Sequence, residues 1–292
     1  MKPAPFRYVA ARSLDQALRL KAEHGDEARF LAGGQSLVPT MNFRLTQPAM
    51  LIDINPLTDC AGVKKYGARS LRIGALTRYR SLERDAATAR DLPLVHEALP
   101  HIAHPQIRNR GTIGGNLAHA DPASEMPAIM LALAARLRVQ SVRGERWIAA
   151  ADFFLGALST ALMPDEMLME VELPLAPPRS GACFIEVARR RGDFAIIGVA
   201  CTVELDADGR CSEARIGLCN AGDGPIFAAQ ASKSLAGRKI AAPEIDAATA
   251  LIQDEIDPGG NVHASKEYQR HIAGVLTARA LATANERAQR GH

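Results

Sequence analysis

The amino-acid sequence predicts an α+β protein of two or three packed units, and three observations lead there. At 292 residues the chain exceeds the usual size of a single hydrophobic core. Two paired-glycine loops, Leu31-Ala-Gly-Gly-Gln-Ser-Leu37 and Arg110-Gly-Thr-Ile-Gly-Gly-Asn-Leu117, each stand where a strand-like run gives way to a helix-like one. The last third is a group of strands followed by a group of helices, the order of an α+β unit.

The first unit spans residues 1–56. Ser13 opens a capping box with Gln16, and Leu14, Ala17, Leu18 and Ala22 follow at helical spacing until Gly25 ends the segment. Arg29-Phe-Leu-Ala32 reads as a short strand delivering the first glycine loop. Ser36 to Asn42 reads as a short turn of helix, Met50 to Ile54 as a buried strand, and the lobe closes near Pro56.

The second unit spans residues 57–176. Leu71 to Leu76 alternates as a strand, while Tyr79 to Thr88 and Leu92 to Ala103 carry helical patterns. After the second glycine loop, Asp121 and Pro122 fit the N-cap and first position of a helix whose apolar stripe is Met126, Ile129, Met130, Leu133 and Leu137. Val139 to Ile148 reads as a hairpin turning at Arg143-Gly144, and Glu166 to Leu173 as another strand. Leu175-Ala-Pro-Pro-Arg-Ser-Gly181 has linker composition and sets the main boundary.

In residues 177–292, Ala182 to Arg189, Ala195 to Leu205 and Glu213 to Asn220 read as antiparallel strands, the last two joined by the turn Asp206 to Arg210. Helices follow at Ala228 to Leu235, Pro243 to Ile256 and Ser265 to Ala288, the last turning Tyr268, Ile272, Val275, Leu276 and Ala280 inward.

Composition narrows the function classes. Charged residues at 23% and a net charge of +3 give neither a disorder signature nor the basic field of a nucleic-acid binder. No apolar run is long enough to span a bilayer, and Met1-Lys-Pro-Ala-Pro-Phe-Arg7 lacks the apolar stretch of a secretion signal, so a cytoplasmic location is expected. The five cysteines fall singly without a C-x-x-C, so no zinc or iron–sulfur site is encoded by spacing. His96, His101 and His104 read as ordinary polar residues on or beside a helix.

The two glycine loops carry the chemistry. Gly33, Gly34, Gly114 and Gly115 have no Cβ, so the backbone is free to take positive φ and turn successive N–H groups toward a phosphate. Gln35, Ser36, Thr112 and Asn116 add polar side chains, and a helix start beside the second loop adds favourable potential for an anion. Two such loops suit a diphosphate. The chain has no G-x-S-x-G elbow, no Walker phosphate loop, no H-E-x-x-H and no G-x-G-x-x-G dinucleotide turn, so the reactive group must come from a bound cofactor.

Three stretches in order, Ala32-Gly-Gly-Gln-Ser36, Arg108 to Leu117 with Asp121-Pro-Ala-Ser-Glu125, and Arg189-Arg-Arg-Gly-Asp-Phe-Ala195, resemble the FAD-binding medium subunit of the molybdenum hydroxylases, the family of aerobic carbon monoxide and xanthine dehydrogenases. The resemblance covers essentially the whole chain. It implies a two-lobed FAD-binding domain of the p-cresol methylhydroxylase type, followed by a smaller C-terminal domain of antiparallel sheet plus helices. It implies FAD held by Leu31, Ala32, Leu37, Ile113 and Asp121 together with the loop residues above, and Glu125 accepting from sugar or ribityl hydroxyls. Phe194 would shield one flavin face, with Ile102 and Leu168 as apolar contacts. The molybdenum cofactor and 2Fe-2S clusters are expected on a molybdopterin large subunit and an iron–sulfur small subunit, in a dimer of heterotrimers. Electrons would pass through the clusters to FAD and on to NAD⁺, a quinone or dioxygen. Some relatives carry a lysine before the arginines where this chain has Ile185-Glu186, so no positive charge for reduced flavin is assigned. Two other readings stand beside this one: a self-contained FAD-dependent oxidase acting directly on a small organic substrate, and an assembly subunit with vestigial loops.

Overall fold

Short apolar runs separated by capped helices give the first lobe a small parallel sheet. In the computed structural model, which describes residues 1–291, the elements are β1 (Arg7–Ala10), α1 (Leu14–His24), β2 (Ala28–Leu31), α2 (Leu37–Asn42) and β3 (Met50–Asp53). The strands pair in the order β1-β3-β2, all parallel, with Leu31 opposite Asp53. β1 escapes sequence reading because it is a mostly exposed edge strand with no alternating pattern. Ser13 caps α1 by accepting from the Gln16 N–H at 3.1 Å, whereas the Gln16 side chain accepts from Arg12 rather than from Ser13. Gly25 ends the helix at φ 48°. Ala17, Leu18, Met50 and Ile52 close the lobe against Met167 and Met169 of the second.

The second lobe contains β4 (Val63–Tyr66), β5 (Ser70–Gly74), α3 (Tyr79–Arg84), α4 (Ala86–Asp91), α5 (Pro93–Ala98), α6 (Pro105–Arg108), α7 (Ile113–His119), α8 (Glu125–Ala132), β6 (Arg136–Ser141), β7 (Gly144–Ala149), α9 (Ala150–Phe153), β8 (Phe154–Gly156), β9 (Ser159–Thr160) and β10 (Met167–Pro174). Its main sheet is antiparallel in the order β4-β5-β10-β6-β7. Several expectations need correction. The helix expected over Tyr79 to Thr88 is broken at Asp85, whose carboxylate accepts from the Thr88 N–H at 2.6 Å and so starts a new helix. The helix expected to run to Ala103 stops at Ala98, and Ala103 itself is left-handed at φ 47°. Asp121 is not an N-cap: it accepts from the Ala123 N–H at 2.9 Å in a turn that delivers Ser124 as the cap of α8. Leu137 leaves the helical stripe for β6, because the chain turns out of α8 through Ala134 at φ 49°.

The C-terminal part pairs β11 (Ser180–Ala188), β12 (Ala195–Leu205), β13 (Cys211–Cys219) and β14 (Ile226–Phe227) as an antiparallel sheet in sequence order, as the sequence predicts for the first three. Helices α10 (Ala229–Ser234), α11 (Ala242–Glu255) and α12 (Lys266–Arg290) follow. The buried face of α12 is Ala273, Leu276, Ala280, Leu281 and Ala284, and Tyr268 faces solvent. Gln269 takes the inward position instead, because its amide donates to the Ile196 carbonyl at 3.0 Å and accepts from the Gly260 N–H at 2.9 Å. Helix α8 is buried along its whole length between the second lobe and this sheet. No helix of the described residues is long and apolar enough to cross a membrane.

Candidate functional site

The three parts enclose one large cleft, about 1450 Å³, and its walls are the stretches singled out in the sequence. Ala32, Gly33, Gly34, Gln35, Ser36 and Leu37 line one side. Thr112, Gly114, Gly115, Asn116, Asp121 and Glu125 line the next, and Ile102, Leu168 and Phe194 the far end. Leu31 and Ile113 are the exceptions. Leu31 ends β2 behind the loop, and Ile113 is fully buried in the core under α7.

The glycine loops differ physically. At the first, Gly34 is left-handed at φ 72°, and a Cβ on Gly33 would overlap the carbonyl oxygen of Arg110. No acceptor within the described residues takes the N–H groups of Gly34, Gln35, Ser36 or Leu37, and Ser36 leaves α2 without a side-chain cap. A row of unspent donors beside a cleft is an arrangement that could hold an anion.

The second loop is not a loop of that kind. Gly114 and Gly115 are helical residues of α7 with no positive φ. Their N–H groups are already spent: Ile113 donates to Thr77 (3.1 Å), Gly114 to Ala75 (2.9 Å) and Gly115 to the Thr112 hydroxyl oxygen (3.1 Å). The glycines are there for closeness, since a Cβ on Gly114 would overlap Ala75 and one on Gly115 would lie 2.8 Å from the Thr112 hydroxyl. What this wall offers an anion is the Thr112 O–H, as donor. Asn116 pairs with the Ser124 hydroxyl at 2.7 and 2.9 Å, which steadies the entry to α8.

Deeper in, Glu125 is 5% exposed. Burial, with Glu186 and Asp121 adding like charge, pushes its carboxyl up to about 8, and its own backbone N–H opposes this. Burial thus favours the protonated carboxyl, a form that donates as well as accepts, where the sequence reading made it an acceptor. Beside it Tyr79, at the start of α3, has a fully buried hydroxyl with no partner among the described residues. An orphaned buried hydroxyl on a cleft wall fits a ligand that completes it. The sequence marks Tyr79 only as the first residue of a helix.

At the far end Phe194 is 69% exposed on the turn Arg191-Gly192-Asp193, and Ile102 and Leu168 form an apolar floor. Gly192, at φ 88°, brings this turn against the Ala103 carbonyl and the His104 ring, a closeness that any Cβ would prevent. His101 Nδ1 lies 3.1 Å from Glu186 Oε1, joining the second lobe to β11. Among the described residues there is no cluster of three or more metal-ligating groups. All five cysteines are buried, and burial pushes their thiols up, so none is a ready nucleophile. Sequence reading also missed the β8–β9 hairpin with Leu158 at its turn, Met163 just beyond it and the Asn261-Val262-His263 loop, which carry no motif and reach the cleft only through tertiary folding.

The site suits an elongated ligand with an anionic middle, polar hydroxyls near Glu125 and a flat apolar end near Phe194, which is the chemistry of a dinucleotide flavin. Comparison with known proteins agrees. Residues 4–176 match the FAD binding domain in molybdopterin dehydrogenase, and residues 182–284 the CO dehydrogenase flavoprotein C-terminal domain. The chain is 43% identical to the 6-hydroxypseudooxynicotine dehydrogenase complex subunit alpha of Paenarthrobacter nicotinovorans, over 99% of this chain and 97% of that one. It is 36% identical to the carbon monoxide dehydrogenase medium chain of Afipia carboxidovorans, over 99% and 100%. A chain of the crystal structure of the Cu,Mo-CO dehydrogenase in its cyanide-inactivated form superposes with a TM-score of 0.95 at 36% identity, covering 98% of this chain and 99% of that one. The chain belongs to the FAD-binding subunits of the molybdenum hydroxylases, an oxidoreductase family of the carbon monoxide and xanthine dehydrogenase type.

Proposed function

We propose that this chain is the electron-relay subunit of a molybdenum hydroxylase complex, with FAD lying along the cleft. The Gly34 to Leu37 N–H groups and the Thr112 hydroxyl would hold its diphosphate, Glu125 and Asp121 its ribityl hydroxyls, and Ile102, Leu168 and Phe194 its ring. The observation that carries this is the row of unspent N–H groups in the first glycine loop, whose residues line the cleft. When bound, FAD would supply the redox chemistry of a relay between the 2Fe-2S clusters of a small subunit and NAD⁺, a quinone or dioxygen. The chain's own residues bind, orient and shield: the loop backbone neutralises charge, Glu125 exchanges hydrogen bonds with hydroxyls, and Phe194 covers one face of the ring. The molybdenum cofactor belongs on a large subunit, in a cytoplasmic dimer of heterotrimers. Residues 1–56 and 57–176 act as the two lobes of the FAD domain, with 177–292 closing the ring end.

The dehydrogenase complex and medium-chain relatives support this assembly. The test is to purify the native complex and measure molybdenum, iron and flavin, then follow flavin absorbance in a single turnover with and without the partner chains. Reduction only in the reconstituted complex is the expected result. Rapid reduction of the isolated chain's flavin by an organic substrate would replace the relay with a self-contained oxidase.

A further inference from the structure

The two glycine segments lie far apart in sequence, yet Gly33 packs so tightly on the Arg110 carbonyl that a Cβ would not fit between them. An α-carbon against a carbonyl oxygen is at most a weak contact, so it does not fix this approach by itself. Behind the contact runs a chain of polar side chains. The Asn55 amide Nδ2 donates to the carbonyl of Ala32 at 2.9 Å, with a longer 3.3 Å contact to that of Leu31, at the root of the first loop. Asn55 Oδ1 accepts from Arg78 Nη2. The other arm of the same guanidinium, Nη1, donates to the Arg110 carbonyl oxygen, the atom against which Gly33 is pressed. Asp53 completes the set: its Oδ1 accepts from the Asn55 backbone N–H at 2.9 Å and side chain at 2.5 Å, and its Oδ2 accepts from the Tyr8 hydroxyl at 2.5 Å.

We infer that Asn55 and Arg78 are positioning residues that brace the first glycine loop against the second and set the distance between the two anion-binding walls. Neither is in the walls of the cleft, so their effect passes through the backbone they hold. The planar fork of arginine suits the task because it satisfies two acceptors on different segments at a fixed separation, which a lysine ammonium on a flexible stem does not. Asn55 contributes donors and an acceptor at once, so it links three segments: β2, β3 and Arg78. A diphosphate must meet both walls together, whereas a monophosphate needs only one. The brace therefore acts on the preference for FAD over FMN rather than on flavin binding in general.

The inference rests on the cleft being the FAD site, and the experiment separates the two. The deflavinated full chain and its Asn55→Ala, Arg78→Ala and Arg78→Lys variants are titrated with FAD and with FMN by flavin fluorescence, and the melting temperature of each apo form is measured. A wild-type chain with no preference for FAD would sink the site assignment and this inference with it. Given that preference, the expected result is an FAD affinity lower by about tenfold or more in all three variants, with FMN affinity changed by less than about threefold. Arg78→Lys keeps the charge and is the mildest change, so it reports on geometry even if an alanine variant folds poorly. Wild-type FAD affinity in Arg78→Lys would show that charge alone suffices and overturn the brace. Parallel loss of FAD and FMN affinity with a falling melting temperature would overturn it in favour of a general structural role.

Discussion

Gly33 and Gly34 meet two different physical demands with one residue type. Gly34 is needed for its left-handed backbone, Gly33 for the closeness of the Arg110 carbonyl. Gly34→Ala meets strain at positive φ of about 1 kcal/mol, with the Leu31 and Val38 side chains already 3.2 Å from its Cβ. Gly33→Ala has no flexible neighbour to move, and the loop itself must lift from Arg110. The expected outcome is lower apo stability in both and a larger loss of FAD affinity in Gly33→Ala, read by thermal melting alongside flavin titration. Equal retention of FAD in both would dismiss the cradle. Glu125 gives a second prediction at this scale. Its folded carboxyl sits near 8 against an ordinary value of 4.5, so in between the folded chain binds more protons than the unfolded one. Stability is then greatest below about pH 4.5 as far as this group is concerned, falls as pH rises, and levels off above about 8, with an upper bound of roughly 4–5 kcal/mol. Glu125→Gln should flatten that slope in the apo chain, and urea midpoints across the range would show it. An unchanged slope would mean that Glu125 is ionised in the folded state.

Among elements, helix α8 explains both what the sequence makes plain and what it hides. A helix buried on every side reads as a continuous apolar run, and such a run gives no sign of where it stops. The stop is set by Ala134 in the left-handed region, an identity that carries no turn signal. The central strands β10, β12 and β13 were legible because they alternate or are long and apolar, while β1 and β4 were not, their exposed faces leaving no pattern to read. The cleft divides similarly. Its glycine motifs are local and visible, but Tyr79, the β8–β9 hairpin and the Asn55–Arg78 brace are joined only by folding. That α7 spends its own N–H groups is likewise invisible in a G-G motif. One packing contact is directly testable: on β13, Gly217 faces α8 so closely that a Cβ would overlap the Ala128 carbonyl. Gly217→Ala should destabilise by about 1–3 kcal/mol through forced separation of sheet and helix. Gly209→Ala, at φ 75° in an open turn, should cost about 1 kcal/mol from backbone strain alone. Denaturant midpoints of the two variants compare these effects, and equal losses would deny α8 a tight seat on the sheet.

At the scale of the whole molecule, the cleft exists only while the C-terminal part stays docked on the second lobe. Much of that docking is apolar packing around α8, and polar ties run beside it: Arg215 donates to the Leu131 carbonyl at 2.9 Å, the Asn220 N–H to the Pro122 carbonyl at 2.6 Å, and a further set centres on Glu97. Glu97 on α5 and Arg287 on α12 form a two-pronged pair at 2.8 and 3.1 Å. Arg287 also donates to the Ala182 carbonyl at 2.5 Å, and Glu97 accepts from the Phe184 N–H at 3.2 Å, so both ends grip β11. The pair is 31–41% exposed at its side chains, which limits the ion pair itself to about 1 kcal/mol or less after screening. The bonds to β11 matter more, because losing Glu97 leaves the partly buried Phe184 N–H without its acceptor, a cost of about 1–3 kcal/mol. Strand β11 leads directly into the turn that carries Phe194, so slack at Phe184 should reach the mouth of the cleft. Glu97→Ala is accordingly expected to lower the melting temperature by about 2–6 °C and to speed FAD release severalfold. Glu97→Gln keeps an acceptor for Phe184 and should recover most of both. If Glu97→Ala lowers the melting temperature but leaves the release rate unchanged, the clamp holds the fold without guarding the cleft, and the ring end of the site must be closed by a partner chain instead.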